Sequence, residues 1–278
     1  VKKTTIVITG NNGYIGRVVE RELEGYELIL IDEENGTNIK DVVGLSADYL
    51  VHLAAYISVT ESEIYPDKYY LNNCSYYSKF LKNNNFKKII YASSYAIYNI
   101  DGSINPSSVY GDTKYIGEYI SKRSCENITI LRFANPVGIY DFHKPIINKI
   151  INGYPNVFWS LAKCKKNCCI FTIHDMMGMV RDFYPVSWIS KIIKKVIENG
   201  IVGTYNIGSG IPTDVIRLLK NICLRYDIKF QYEQPGKYIS KGLVTNNEIV
   251  RLLLLSKTYD PEQYCMELFP KYLEYVNC

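Results

Sequence analysis

No stretch of this sequence approaches the ~20 consecutive apolar residues of a membrane span, and the run from Leu252 to Leu255 is far too short. No membrane partner is expected. Basic clusters are missing as well: lysines stand singly or in short pairs and the net charge is only +4, which argues against a nucleic acid partner. No signal peptide precedes the first strand, and the eight cysteines lack the regular spacing of a secreted disulfide framework. Reduced thiols in the cytoplasm are therefore expected. There is no C-x-x-C pair. Cys164, Cys168 and Cys169, with His174 beyond them, come nearest to a metal-ligand set, but adjacent cysteines cannot easily both reach one tetrahedral zinc, so no metal is expected. Internal repeats and low-complexity linkers are absent. With 47% hydrophobic and 22% charged residues the chain is globular, and 278 residues suffice for two unequal domains at about 150 residues each. Tyrosine, at 26, is abundant; with the many Ile, Asn and Lys it reflects coding bias in an AT-rich genome and not chemistry.

Against that background one stretch stands out. Thr4 to Thr9 is a β-branched run that reads as a buried parallel strand. It breaks at Gly10, and from Gly16 the pattern turns helical, with Val18, Val19 and Leu23 on one side. A strand passing through a glycine turn into a helix leaves free backbone N–H groups beside the positive end of the helix dipole, a corner that suits a pyrophosphate. Gly10 permits the turn, Gly13 removes a side chain that would block the phosphates, and Gly16 lets helix and strand approach. A glycine triplet alone is equally an ordinary strand-to-helix turn; its context decides.

That context begins with Glu27 to Asp32, a second apolar strand ending in an acid about twenty residues beyond the turn. A carboxylate there accepts both hydroxyls of an adenosine ribose. Asp32, Glu33 and Glu34 together repel a 2′-phosphate, which favours NAD over NADP. Asn38 and Ile39 are placed to flank the adenine, in a connection too compact for a full third strand–helix unit. Leu50 to Ala55 reads as the next strand, with His52 structural within it. Helices are expected around Asp67 to Asn83 with Asn72 facing inward. Lys88 to Ser94 is a further strand ending in hydroxyls, and strand ends of this kind line the ligand crevice of an open α/β sheet.

The block from Ser107 to Glu118 carries the chemistry. Ser107 or Ser108 caps a helix on which Tyr110 and Lys114 share one face, their Cβ atoms about 5–6 Å apart. An ammonium beside a phenol lowers the phenol's pKa from its usual ~10, and a phenol so tuned exchanges protons with an alcohol near neutral pH. Tyr-x-x-x-Lys is a weak signal by itself; a dinucleotide turn upstream, with Ser94 on a strand end between them, makes it a strong one.

Taken together, Thr9-Gly10-x-x-Gly13-x-x-Gly16, Asp32, His52 to Ala55, Ser93-Ser94, Tyr110-x-x-x-Lys114, Leu131 to Gly138, Arg181-Asp182-Phe183 and Gly203 to Gly210 resemble the extended short-chain dehydrogenase/reductases of the nucleotide-sugar epimerase/dehydratase type, in that family's order and over nearly the whole chain. The resemblance implies an α/β fold: a Rossmann-type doubly wound parallel sheet with a smaller, interleaved C-terminal substrate domain. Residues 1–138 would form the NAD-binding domain, with 186–200 returning to it, and 139–185 and 201–278 the substrate domain. It also implies a catalytic set of Ser94, Tyr110 and Lys114. The NAD site would comprise Gly10, Asn12, Gly13, Tyr14, Ile15, Gly16, Asp32, Asn38, Ile39, Leu53, Ala54, Ala55, Asn72, Tyr110, Lys114 and Phe133. Ser94, Asn135 and Arg181 would contact a UDP- or dTDP-hexose, and the chain would form a homodimer through the helices around Asn72 and Tyr110. A guanidinium at Arg181 suits a diphosphate; the residues alone equally allow an Arg181–Asp182 surface pair, and Asn135 as a loop cap.

Three departures from the family's pattern bear on the function. Tyr184-Pro185-Val186-Ser187-Trp188 replaces the usual apolar residue followed by His-Val-Asp-Asp, and Gln234 stands where a second phosphate-binding arginine is usual. Tyr95-Ala96 follows Ser94 where dehydratases carry Asp-Glu, so the extra acid/base pair that dehydration needs is missing. Epimerisation at C4 is the expected reaction. A reductase of 4-keto-6-deoxy sugars uses the same residues and consumes NAD(P)H. A non-catalytic NAD-binding regulator is a third reading, against which both Tyr110 and Lys114 stand intact.

Overall fold

The computed structural model describes residues 3–99, 101–138, 157–174, 180–233, 250 and 259–277. The helix-like pattern from Pro145 to Asn152, and Gln234 with Lys237 and Arg251, the two cations that could replace the charge it lacks, lie outside the described residues. Two compact units share the chain: Val1–Ala134, Val186–Ile207 and Asn247–Leu255 in the first, Asn135–Pro185, Gly208–Asn246 and Ser256–Cys278 in the second.

The first unit is a six-stranded sheet in the order β10-β5-β4-β3-β1-β2. Its strands are β1 (Thr5–Thr9), β2 (Glu27–Ile31), β3 (Ser46–His52), β4 (Asn85–Ser94), β5 (Ile128–Phe133) and β10 (Gly203–Ile207). Every pairing is parallel. Ile6, Val7 and Ile8 are fully buried because helices cover both faces, as a parallel sheet requires. β2 and β3 flank β1 on opposite sides, so the direction of winding reverses there, and such a switch point opens a crevice at the strands' carboxyl ends. Between β2 and β3 run only two single 3₁₀ turns, Glu33–Asn35 and Ile39–Asp41.

α1 (Gly16–Glu22) follows β1. α2 (Val59–Ile64) and α3 (Pro66–Tyr70) follow β3, and a π-helical turn over Leu71–Tyr76 leads into α4 (Tyr77–Asn83). α5 (Val109–Ser124) is capped by Ser108, whose Oγ accepts the Gly111 N–H at 3.1 Å. Three sequence expectations shift. β3 stops at His52, so Leu53 to Ala55 form the loop that leaves it. The π turn buries Asn73 and leaves Asn72 only partly covered, because the widened turn rotates the helix face. β10 bonds to β5 as an edge of the main sheet, so the chain's return runs to Ile207 rather than 200.

The second unit contains three short two-stranded ribbons. β6 (Asn135–Val137) pairs with β9 (Phe183–Pro185), β8 (Val180–Arg181) with β11 (Thr213–Asp214), and β7 (Phe171–His174) with β12 (Phe230–Glu233). Its core gathers Phe158 and Leu161 of α6 (Val157–Lys166), Leu218 and Ile222 of α8 (Val215–Arg225), and Phe269 of α9 (Pro261–Asn277). The intervening helix α7 (Ser187–Asn199) belongs to the first unit, where Lys194 reaches Glu22 of α1 at 3.2 Å. The Cys169 N–H donates to the Cys164 carbonyl at 3.0 Å; among the described residues no cluster of His, Cys, Asp or Glu could hold a metal. No helix among them is long and apolar enough to cross a membrane.

Candidate active site

Two close approaches shape the glycine turn after β1. Gly10 sits at φ +74°, and a Cβ there would fall 2.7 Å from the Ala54 nitrogen; a Cβ on Gly16 would fall 2.1 Å from the Gly10 carbonyl oxygen. Neither position accepts a side chain without moving backbone. Gly13 is different. It is exposed, and a Cβ there would meet only the Gly10 oxygen, at 3.2 Å. The turn therefore presents a side-chain-free face at the start of α1, which fits a pyrophosphate. Tyr14 and Ile15 complete the turn, half-buried.

Asp32 closes the same corner. Its Oδ2 accepts the Asn12 N–H at 3.1 Å and its Oδ1 the Glu34 N–H at 3.0 Å. Each carboxylate oxygen keeps a further acceptor position, so two ribose hydroxyls can still be received. Asn38 caps the next turn through the Lys40 N–H, 2.9 Å, while the Ile39 side chain belongs to the core. Ile39 thus has only its backbone to offer an adenine. Across the crevice Leu53 and Ala54 bond to Thr9, at 3.1 Å to its carbonyl and 3.4 Å to its hydroxyl, and Ala55 follows half-buried. His52 takes Thr9 Oγ1 at 2.8 Å and stacks on Tyr77 at 3.9 Å; burial holds its pKa well below the ordinary histidine value, so it is neutral.

Ser94 ends β4 beside Phe133 of β5. Its Oγ accepts the Ala96 N–H at 3.1 Å, and it lies near enough to the Tyr110 phenol to draw that group's pKa down. α5 can bring Tyr110 this close because Gly111 has no Cβ to strike the Ala96 carbonyl, which would lie 2.3 Å away. One turn on, Lys114 Nζ donates to the Ala92 carbonyl at 2.7 Å and lies 5.2 Å from the Tyr91 ring centre. The sequence thus brings Ser94, Tyr110 and Lys114 to one strand end. Its account of their protonation needs correction. Burial raises the Tyr110 phenol to about 12, offset only in part by Ser94, and burial lowers the Lys114 ammonium to about 8. Desolvation outweighs the attraction between neighbours that the spacing alone suggested.

This has a consequence for stability. Below pH 8 Lys114 carries its proton whether folded or not, and the folded chain bears the whole cost of burying the charge. Between about 8 and 10.5 only the unfolded chain holds the proton, so the cost declines as pH rises. The gap corresponds to roughly 3 kcal/mol, less about 1 kcal/mol for the lost hydrogen bond. Lys114→Met is expected to raise stability at pH 7 by about 1–2 kcal/mol, with the gain fading towards pH 10. Urea unfolding at several pH values checks this.

Asn72 is half-buried and donates to Asn73 Oδ1 at 3.1 Å, and the buried Asn73 makes further contacts. Its Nδ2 donates to the Tyr56 carbonyl at 2.9 Å and to Thr113 Oγ1 at 3.1 Å, and its Oδ1 accepts the Tyr56 N–H at 2.8 Å. It ties the loop after β3 to α5 between Tyr110 and Lys114. A π turn leaves no mark in residue spacing that would have separated the two asparagines.

In the second unit, Asn135 opens β6 and its N–H donates to the Asp182 carbonyl at 3.1 Å. Arg181 is mostly buried, which lowers its pKa. Its neighbour Asp182 is fully buried and accepts from Ser209 N–H, Ser209 Oγ and Gly210 N–H at 2.7, 2.6 and 2.9 Å. Asp182 is therefore the anchor of the Ser209–Gly210 loop, not the partner of a surface arginine.

A model of the NAD-dependent epimerase/dehydratase family matches residues 6–208. The UDP-glucose 4-epimerase of Bacillus subtilis is 25% identical over 274 residues, covering 77% of this chain and 80% of that one. Among solved structures, a UDP-N-acetylglucosamine 4-epimerase from Methanobrevibacter ruminantium superposes with a TM-score of 0.79 at 24% identity, over 100% of this chain and 99% of that one. A dTDP-4-dehydrorhamnose reductase from Clostridium acetobutylicum gives 0.72 at 19% identity, over 99% and 100%. The shared fold thus hosts more than one chemistry.

Proposed function

The chain belongs to the NAD-dependent epimerase/dehydratase family, and on that premise we propose that it is a nucleotide-sugar 4-epimerase acting on a UDP- or dTDP-hexose. The single observation that carries the reading is that α5 brings the buried Tyr110 phenol close to Ser94 at the end of β4, with Lys114 one helical turn on and bonded to the same strand. In this reading Gly10 to Gly16, Asp32 and Leu53 to Ala55 hold NAD, with Asn38, Ile39, Asn72 and Phe133 around them. A bound NAD would supply a hydride acceptor for the sugar's C4 and a positive ring beside the site.

The chain's own residues manage the proton and the oxygen. Tyr110 takes the proton of the sugar hydroxyl and later gives it back; Ser94 hydrogen-bonds the same oxygen throughout; Lys114 adds positive charge that favours the phenolate. A phenol resting near 12 is a poor base alone, so the proton leaves readily only while Lys114 is charged. Activity is expected to rise with pH from the acid side and to fall once Lys114 loses its proton above about 8. A pH–rate profile checks both limbs. Asn135 and Arg181 are the proposed contacts for the substrate's phosphates.

Two features favour epimerase over dehydratase and reductase. Tyr95 and Ala96 after Ser94 cannot supply the acid and base that dehydration requires. The acids Asp32, Glu33 and Glu34 suit NAD, which an epimerase recycles, better than the phosphorylated NADPH. The test is to incubate the protein and NAD with a panel of UDP- and dTDP-hexoses and resolve the products. Interconversion of a C4 pair is expected; no interconversion with NAD bound would refute the reading.

A homodimer is proposed as well. Leu71, Tyr115, Ile116 and Tyr119 expose large apolar surface on the π turn and α5, Tyr119 being 65% exposed, more than an isolated helix face needs. Ile116→Glu with Tyr119→Glu is expected to convert a dimer to a monomer in light scattering. The described cysteines are free thiols, which suits the cytoplasm.

A further inference from the structure

A buried ion pair lies behind the Ser94–Tyr110 pair, and neither the family match nor the proposed chemistry gives it a task. Glu118 is 1% exposed and Arg132 8%. The guanidinium grips the carboxylate at both ends, Nε to Oε1 at 2.8 Å and a terminal nitrogen to Oε2 at 2.7 Å. We propose that Glu118, locked by Arg132, is a positioning residue that holds the Ser93–Ser94 strand end and the Tyr110–Lys114 face of α5 in one fixed arrangement.

Stability alone does not account for such a pair. Desolvation largely cancels its Coulombic gain, and well-packed apolar residues of similar volume would serve the core as well or better. What apolar residues could not supply is direction. Ser93 Oγ donates to Glu118 Oε1 at 2.6 Å, and Ser93 precedes Ser94, which lies beside the Tyr110 phenol. The other terminal nitrogen of Arg132 donates to the Tyr98 hydroxyl at 2.7 Å, which itself donates to Asn206 Oδ1 at 2.8 Å. Tyr98 ends the short 3₁₀ turn that Ser94 caps. The network therefore joins β4, α5, β5, the turn after Ser94 and β10, and it encloses Ser94 from its backbone neighbour and from its turn. On α5, Tyr110, Lys114 and Glu118 recur every four residues, on one helical face.

Glu118 also acts on Lys114. The titratable groups facing that ammonium are Tyr110 and Glu118 from α5, Cys74 from the π turn, Tyr91 from β4 and His52 from β3. Among these described groups Glu118 is the one carboxylate. Removing its charge takes away attraction that keeps Lys114 protonated, so Lys114 should lose its proton at lower pH.

This inference rests on the roles proposed for Tyr110 and Lys114, and the experiment separates the two. Wild type, Glu118→Gln, Glu118→Asp and the double variant Glu118→Met/Arg132→Met are compared by NAD titration calorimetry from about pH 6 to about 10, by kcat and KM, and by melting temperature. In this reading a charged Lys114 helps hold NAD, so NAD affinity should decline as Lys114 loses its proton. For Glu118→Gln, kcat is expected to fall about a hundredfold with KM nearly unchanged, and that decline to move about one pH unit lower. Glu118→Asp should recover part of both. The double variant, which removes the charges together, should melt no lower than wild type yet lose kcat as Glu118→Gln does. If the double variant or Glu118→Gln keeps wild-type kcat and an unmoved NAD profile, the pair is only structural and the proposal is wrong. Should wild type bind NAD but convert no sugar, the epimerase reading fails on its own, while the calorimetric profile still decides the role of Glu118.

Discussion

Tyr110→Phe is expected to lower kcat between about a hundred- and ten-thousand-fold while leaving NAD affinity within a few-fold. The phenol oxygen is the group proposed to carry the substrate proton, and phenylalanine supplies everything about the residue except that atom. The ring is 9% exposed and fills the same space in either case. Ser94 keeps the Ala96 N–H as its partner, so no buried hydroxyl is stranded and the fold should hold. Product-resolved kinetics with calorimetry of NAD binding separate loss of chemistry from loss of cofactor. A fall in NAD affinity as large as the fall in kcat would show that Tyr110 serves the cofactor and not the proton.

Gly13→Val should do the reverse: abolish NAD binding, by at least about a hundredfold or ~3 kcal/mol, in a protein that still folds. The prediction rests on the contrast among the three glycines. Side chains at Gly10 or Gly16 would press into backbone within 2.7 Å and 2.1 Å, so changes there damage the turn itself. A side chain at Gly13 meets one carbonyl oxygen at 3.2 Å and otherwise projects into the open face. It can be built into the protein but not beneath a pyrophosphate. Calorimetry with NAD and a melting curve check the two halves together; an intact melting temperature with intact NAD affinity would place the cofactor elsewhere.

The sheet and the first crevice were legible because their signals are local. The run Thr4 to Gly16 states strand, turn and helix in sequence, and the spacing to Asp32 follows from the length of α1 and β2. Tyr110 and Lys114 were legible through helical periodicity, and their cap as Ser107 or Ser108. Three things were not. The choice between Asn72 and Asn73 depends on a π turn, a half-step rotation that composition does not encode. The protonation of Tyr110 and Lys114 depends on burial, which spacing does not measure. The Glu118–Arg132 network joins residues from α5 and β5 to Ser93, Tyr98 and Asn206, and only the parallel order of β4, β5 and β10 brings these together. Repetition at 110, 114 and 118 was a visible hint that the third position faces the same way. A buried carboxylate there acquires meaning once Arg132 is seen opposite it.

The most direct test of the account is to supply the C4-deuterated nucleotide sugar that the panel identifies, with NAD, and to follow both the label and the absorbance of reduced nicotinamide. Removal of hydride and its return to the other face predict that deuterium stays on C4 of the epimer, with no net build-up or consumption of reduced cofactor. Exchange of the label with solvent, or stoichiometric consumption of reduced nicotinamide with a keto sugar, would contradict it.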